Sequence, residues 1–473
     1  MTITDTHARR WWALGLVSLA QFLIILDTSI IGIALPQIRS ALDFSESSLQ
    51  WVFNAYVIAF GGLLLLGGRL SDLLGARRVF AAGFALLIGA SLLAGLAWSD
   101  GALVAGRALQ GLGAALIAPA AMTLVFRLFT TPAELGRAMG IWGAAAPAGG
   151  TAGVFLGGVI TEWISWRWTF LINVPVGVLV LAATPALLPP VAGRRGRVDA
   201  AGALTVTAAL SLAVYAIVTA NDRGWGSAGT LVLLAVAGAL LAMFVALQSR
   251  LRGPLVPLWI FRTPNLSAAN AVMLLLGAAW IPMWFYLNLY LQQVLGFGAF
   301  ESGAALLPMT IAIMVLMVGV TGRLVGRVGF KRPLVTGLLA LAAAMLMLGR
   351  VPVGGSFAAD VLGASLVAAF GMSLAYIPTL IASLSAVEPE ETGLASGIVN
   401  TSYQIGSALG LAAMTAIALA STDGAGVAEL NDGFHAAFIG AAVVAAAAAA
   451  LAVVAIRSPR VTAVEAAVEQ QAA

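Results

Sequence analysis

The sequence predicts an all-α polytopic membrane protein of fourteen transmembrane helices, laid out as two six-helix bundles with two additional helices between them. Three observations carry that prediction. The chain of 473 residues is 61% hydrophobic and only 9% charged, with a mean hydropathy of +1.01, whereas soluble domains carry about 25% charged residues. Its apolar residues fall into fourteen runs, each near the roughly 20 residues that cross a bilayer. Two separate motifs also recur at nearly one offset, as in a duplicated chain.

The first six runs lie near 12–36, 48–70, 78–98, 101–126, 137–161 and 167–188. Two more follow near 198–220 and 228–248, and the last six near 266–293, 302–324, 333–350, 357–384, 394–420 and 434–456. The positive-inside rule tests this count. With both termini cytoplasmic, the inner segments hold 19 of the 24 basic residues, from Arg9 and Arg10 to Arg457 and Arg460. Arg39, Arg167, Arg223 and Arg350 fall outside, and Arg107 falls within a helix. A missed or invented helix would reverse the parity downstream and scatter these charges. The pI near 9.8 therefore reports membrane orientation rather than nucleic acid, since the excess charge is only +4. The N-terminal THARRWW could open a signal sequence, but its apolar run continues to about Pro36 without a convincing cleavage site. A first spanning helix is expected there.

The repeat fixes the layout. Gly67 to Phe80 reads GGRLSDLLGARRVF, and Gly322 to Leu334 reads GRLVGRVGFKRPL. Setting Gly68 on Gly322 aligns Arg69 with Arg323, Gly75 with Gly329, Arg77 with Lys331 and Arg78 with Arg332, while Asp72 falls on Gly326. A second pair, Glu134-x-Gly136-x-Ala138-x-Gly140-Ile141 and Glu391-x-Gly393-x-Ala395-x-Gly397-Ile398, recurs at almost the same spacing. The expected organisation is a six-helix bundle over 1–189, a linker with two additional helices over 190–265, a second six-helix bundle over 266–460, and a cytoplasmic tail over 461–473.

Composition removes several function classes. The chain has no cysteine, so thiolate and disulfide chemistry is excluded. Its two histidines, His7 and His435, lie far apart and make a poor metal site. The only lysine, Lys331, is followed by Arg332, whereas a Walker A loop needs Lys followed by Ser or Thr. No ATP use through such a loop, no cofactor, no metal and no enzymatic activity are expected.

Asp27 stands inside the first run, in FLIILDTSIIGIALP, with Gln21 and Thr28 forming one polar sector around it. A charge at that depth costs several kcal/mol, so an intramembrane carboxylate is a functional candidate by default. A carboxylate that gains and loses a proton is one reading; a static salt bridge, or a residue at the outer water boundary, is the other. Arg107, in LVAGRALQGLGAALIAP of the fourth run, is the only basic residue well inside a span. It can snorkel to the outer interface or partner an acid in a central cavity. The turn holding Gly68, Arg69, Asp72, Gly75, Arg77 and Arg78 suits gating, because glycines allow tight turns and close approach and the charges can pair differently in two states. In the fifth run Gly149, Gly153 and Gly157 fall on one face, with Gly158 beside them, and permit close helix packing. Trp284, Phe285, Asn288 and Gln292 share a face of the ninth run. With Gln21, Asn54, Tyr56, Asn400 and Gln404 they are candidates for a cavity taking an amphipathic organic molecule. Each of them singly is more often a helix–helix hydrogen bond, and it is as a set that they favour a cavity.

Taken together, these residues resemble the major facilitator superfamily, and within it the fourteen-helix drug:proton antiporter family, over nearly the whole chain. Gly68 to Arg78 looks like the superfamily's loop 2–3 signature. Arg107-Ala-Leu-Gln-Gly111 looks like its helix 4 motif, whose arginine is implicated in proton coupling. Leu26-Asp27-Thr28 through Ala34-Leu35-Pro36, and Trp166-Arg167-Trp168 through Asn173-Val-Pro175-Val-Gly177, are similar to stretches typical of the fourteen-helix branch. One departure matters: the family's helix 5 antiporter motif is Gly-x-x-x-Gly-Pro-x-x-Gly-Gly, and here Val154 replaces the proline.

The resemblance implies the major facilitator fold and a proton-coupled exporter of amphipathic organic compounds. Asp27 would carry the proton, Arg107 would modulate it, and the Gly68–Arg78 turn would latch the cytoplasmic side. The partners implied are a small substrate, protons and the lipid bilayer of the cell membrane, with the chain working as a monomer. An uptake symporter of the same fold, a non-transporting sensor or scaffold, and a membrane-embedded enzyme are the rival readings.

Overall fold

A computed structural model of the chain describes residues 3–44, 49, 51–190, 193, 199–251, 254–388, 391–422, 424 and 426–457. The basic stretch 194–198 and the tail 461–473 lie outside the described residues. Among the described residues, thirteen helices are long and apolar enough to cross a membrane. They are α1 (Ala8–Ser29), α2 (Trp51–Leu74), α3 (Ala76–Gly95), α4 (Asp100–Leu128), α5 (Glu134–Trp163), α6 (Trp168–Leu187), α8 (Ala228–Arg250), α9 (Leu266–Val294), α10 (Phe300–Val328), α11 (Lys331–Leu348), α12 (Phe357–Leu384), α13 (Thr392–Ala420) and α14 (Val427–Ala455). The remaining run is α7 (Ala200–Arg223), whose apolar part is the shorter Ala201–Ile217. The chain is a multi-pass, all-helical membrane protein.

Helix starts follow from local chemistry. Side-chain oxygens of Ser99, Asp199 and Ser227 accept from the backbone amides of Ala102, Gly202 and Thr230 at the heads of α4, α7 and α8, meeting donors that a helix leaves unpaired. Gly75 adopts φ 93° between α2 and α3, and Gly329 adopts φ 74° between α10 and α11. That backbone conformation favours glycine, and these are the two glycines that the repeat aligns. One boundary differs from expectation. The first run does not end near Pro36: α1 is interrupted at Ile30 and continues as Ile31–Leu42. Thr28 Oγ1 and Ser29 Oγ both donate to the Ile25 carbonyl, a back-bonding that bends helices.

Within the first six helices, α4 packs on α2 and α3, α1 on α5, and α3 on α6. Within the last six, α9 packs on α13 and α14, and α11 on α12 and α14. Lipid tails are as apolar as the helices, so small residues that admit a neighbouring backbone carry the packing. A Cβ at Gly111 would meet the Tyr56 carbonyl, one at Gly406 the Leu274 carbonyl, and one at Gly410 the Ala278 carbonyl.

The two sets meet along α2–α13 and α5–α10, with α4 also against α13. Close contacts between them cluster at the end that carries the loops rich in arginine. There Gly68 lies against Gly393, and Gly136 against Gly322. The repeat motifs thus cross: the turn of each set meets the Gly-x-Ala-x-Gly motif of the other. Further along, the hydroxyls of Thr151 and Thr310 are hydrogen-bonded across α5 and α10.

The additional pair sits outside this seam. α7 packs on both α2 and α13, and α8 packs on α7 while remaining mostly exposed. Ser211 stands over Gly62, and Trp51 stacks on Tyr215 at 5.4 Å. Asp199 accepts from Gln248 Nε2 at 2.8 Å, and Gln248 Oε1 accepts from the Val256 amide at 3.0 Å, tying α7, α8 and the segment before α9 together.

Candidate functional site

Asp27 lies near the end of α1, and Arg107 lies two turns into α4. Both are wholly buried, at 0% exposure, and Arg107 Nη1 donates to Asp27 Oδ2 at 2.7 Å. Asp27 Oδ1 accepts from Gln110 Nε2 at 3.0 Å and from Asn173 Nδ2 of α6. Every described partner of this carboxylate is a donor.

Arg107 is fixed from three further sides. Its Nε donates to the Val52 carbonyl at 2.8 Å, its Nη1 also reaches Gln110 Oε1 at 3.0 Å, and its guanidinium sits 4.4 Å from the centre of the Tyr56 ring, a cation–π arrangement. Tyr56 in turn donates to the Ile24 carbonyl of α1 at 3.4 Å. Ser91 of α3 accepts from Gln110 Nε2 at 2.8 Å. Five spans, α1, α2, α3, α4 and α6, therefore converge on one ion pair. Asn173 reaches it because the loop before α6 is pinned: Arg167 Nη1 donates to the carbonyls of Gly95 and Ala97 at 3.1 and 2.9 Å.

Burying an ion pair is costly unless both charges stay paired and hydrogen-bonded. Here a proton arriving on Asp27 removes the charge that holds Arg107, and it turns one carboxylate oxygen into a donor facing donors. Proton binding and the Arg107 contact therefore compete. That competition is what the arrangement can do chemically.

The second cluster is at the arginine-rich end. Asp72, in the last turn of α2, accepts from the backbone amides of Gly393 and Leu394 at 2.9 and 2.8 Å. It thereby caps the first turn of α13, where both the free amides and the helix dipole favour an anion. Arg69 Nη2 donates to the Pro254 carbonyl at 3.4 Å, and Arg77 Nη1 to the Leu188 carbonyl at 3.2 Å, while Arg78 is exposed. At the crossed position Gly326 faces open space, and among the described residues no side chain caps the head of α5. Glu134 of α5 pairs instead with Arg10 at 3.4 Å.

The glycines of α5 line the α1 contact. Cβ atoms at Gly149, Gly153 and Gly157 would meet Phe22, Leu26 with Ser29, and Ile30 respectively, whereas Gly158 has space around it. Val154, at the position of the departing proline, lies beside Gly303 of α10. The cavity candidates are not gathered in the same way. Tyr56 joins the Asp27 cluster. Asn288 accepts from Gln292 along α9, and Asn400 donates to Ser396 within α13. Phe285 is 41% exposed and packs edge-on to Tyr286, and Trp284 lies against Trp280. Gln21 and Asn54 are buried and Gln404 is half-buried, and none of the three takes part in the Asp27 hydrogen bonds.

Sequence reasoning on charge alone missed Gln110, Ser91 and Asn173. The available signal was position: Gln110 sits one turn from Arg107, and Asn173 lies in the Trp166–Gly177 stretch.

Comparisons with known proteins place the chain in a family. A family model described as Major Facilitator Superfamily matches residues 17–411 and 322–472. The cephamycin export protein CmcT of Amycolatopsis lactamdurans is 39% identical over 91% of this chain and 89% of its own length. The puromycin resistance protein pur8 of Streptomyces alboniger is 36% identical over 88% of this chain and 83% of its own. Among solved structures, the proton:xylose symporter XylE superposes with a TM-score of 0.67 at 13% identity, over 94% of this chain and 95% of that one.

Proposed function

Because the chain belongs to the major facilitator superfamily, we propose that it is a proton-coupled antiporter that exports amphipathic organic compounds across the cell membrane. The observation that carries the coupling is the enclosed Asp27–Arg107 pair, surrounded by donors. The direction is supported by relatives whose names record cephamycin export and puromycin resistance. The positive-inside rule assigns the arginine-rich end, and with it both termini, to the cytoplasm.

Transport runs by alternating access. The bundle over 1–189 rocks against the bundle over 266–460, as repeat-built transporters do, while the 190–265 segment with its two additional helices rides on the α2–α13 seam. Asp72 latches the cytoplasmic end by capping α13. With that end open, substrate entering from the cytoplasm displaces the proton from Asp27, which leaves to the cytoplasmic side. With it closed, Asp27 takes a proton from the outer side, Arg107 is released, and the carrier resets. The membrane potential alone supplies about 2.3 kcal/mol per charge per 100 mV, so no nucleotide is needed. The chain works as a monomer, and Trp284, Phe285, Asn288, Gln292, Asn400 and Gln404 contribute to the substrate path.

Inverted membrane vesicles carrying the protein test this reading. Energised with an inward-acid gradient and offered a panel including puromycin, a cephamycin and amphipathic fluorescent dyes, they are expected to accumulate at least one compound several-fold over control vesicles. The accumulation should collapse on addition of a protonophore. Accumulation that needs the opposite gradient would identify an uptake symporter and overturn the proposal.

A further inference from the structure

A cavity of about 210 Å³ opens between the additional pair and the seam. Its walls are Leu65 of α2, Ile398 of α13, Leu210 of α7, Phe244 of α8 and Val256 of the segment that precedes α9. Leu65, Phe244 and Ile398 lie toward the arginine-rich end of their helices. Leu241 and Val245 also line it; both are exposed, so on that side the crevice faces the bilayer. An apolar space of this kind stays free of water, and what meets its mouth is lipid.

Two of the elements that line the crevice end in charge. Arg250 closes the last turn of α8, and Arg262 closes the short helix Leu258–Arg262 whose Leu258 and Phe261 line the cavity. Both arginines are exposed, and neither has an ion-pair partner among the described residues. Trp259 and Phe261 are exposed beside them, as aromatic side chains are at the level of lipid headgroups. Apolar lining and charge thus lie on the same elements: an apolar crevice is flanked by two exposed cations with no ion-pair partner among the described residues.

We propose that this crevice holds one acyl chain of an anionic phospholipid, with its headgroup at Arg250 and Arg262. The topology proposed above enters only in naming the leaflet as the cytoplasmic one. Leu65 and Ile398 stand on opposite sides of the seam that Gly68, Gly393 and Gly397 close, so a chain seated there touches both bundles at once. The lipid is a third member of the closed seam.

The test counts lipid on detergent-purified full-length protein by native mass spectrometry. Dioleoyl phosphatidylglycerol and dioleoyl phosphatidylcholine are titrated separately. Each arginine near a membrane surface contributes about 1 kcal/mol toward an anionic headgroup, so the wild type is expected to prefer phosphatidylglycerol at its tightest site by about thirtyfold. Leu210→Trp fills the crevice and is expected to remove that site. Val245→Trp fills it from the exposed rim, where the parent side chain packs little, and provides the same result should the α7 variant be poorly folded. Arg250→Gln with Arg262→Gln keeps the site but brings the two lipids to parity. Equal retention of both lipids by the wild type, or undiminished phosphatidylglycerol binding by the filled variants, overturns the proposal. No transport is measured, so either outcome leaves the export reading to its own experiment.

Discussion

Asp27→Asn is expected to reduce gradient-driven transport to the level of protein-free vesicles, with a loss of stability beside it. The carboxamide cannot carry a proton, and its amino group would face the donors of Arg107, Gln110 and Asn173 that now converge on the carboxylate. Removing one member of a buried pair leaves the other uncompensated, at a cost of about 3–5 kcal/mol. Two further variants separate the chemical loss from the structural one. Asp27→Glu keeps the acid and should retain part of the activity. The double change Asp27→Asn with Arg107→Gln removes both charges; thermal unfolding in detergent should return toward the wild-type midpoint, while transport stays absent. A double variant that transports would show that the pair only stabilises the bundle.

The second large effect is expected at Asp72. Asp72→Asn keeps one acceptor oxygen but loses the second acceptor and the negative charge at the head of α13. Hydrogen bonds to charged groups contribute about 1.5–3 kcal/mol, and a charge at a helix terminus about 0.3–1 kcal/mol. The closed arginine-rich end should therefore lose on the order of tenfold or more in population, and transport should fall with it. Gly326→Ala, at the position that the repeat aligns, adds a methyl group into open space and should leave transport within a factor of about two of wild type. The chain has no cysteine, so spin labels at cysteines replacing Leu74 and Glu388 report the distance across this end without background. A longer, broader distribution in Asp72→Asn and an unchanged one in Gly326→Ala are expected. The reverse order would remove Asp72 as the latch.

Much of this was legible in the sequence, for identifiable reasons. Intramembrane charge is costly, so Asp27 and Arg107 stood out singly. Their contact did not, because it joins spans that are distant along the chain and depends on how five helices pack. Gln110, Ser91 and Asn173 are uncharged and cheap to bury, so nothing in hydropathy marked them. The repeat revealed two related sets, yet the crossing of Gly68 onto Gly393 and Gly136 onto Gly322 emerges only once the sets face each other. The absence of Asp72's counterpart at Gly326 was visible as a gap in an alignment; its consequence, one capped and one uncapped helix start, needed three dimensions. The interruption at Ile30 escaped because Thr28 reads as a polar neighbour of Asp27, not as a residue whose hydroxyl bonds back to the Ile25 carbonyl. The additional pair was located by offset and charge parity, but its seat across α2 and α13 had no sequence signature.

The central claim is that one carboxylate, Asp27, exchanges a proton as substrate binds from the cytoplasmic side. The direct measurement is the pH change when a transported compound is added to purified protein in weakly buffered detergent solution, wild type beside Asp27→Asn. Release of about one proton per bound compound is expected from the wild type, and no release from the variant at saturating compound. Equal release from both proteins would contradict the claim.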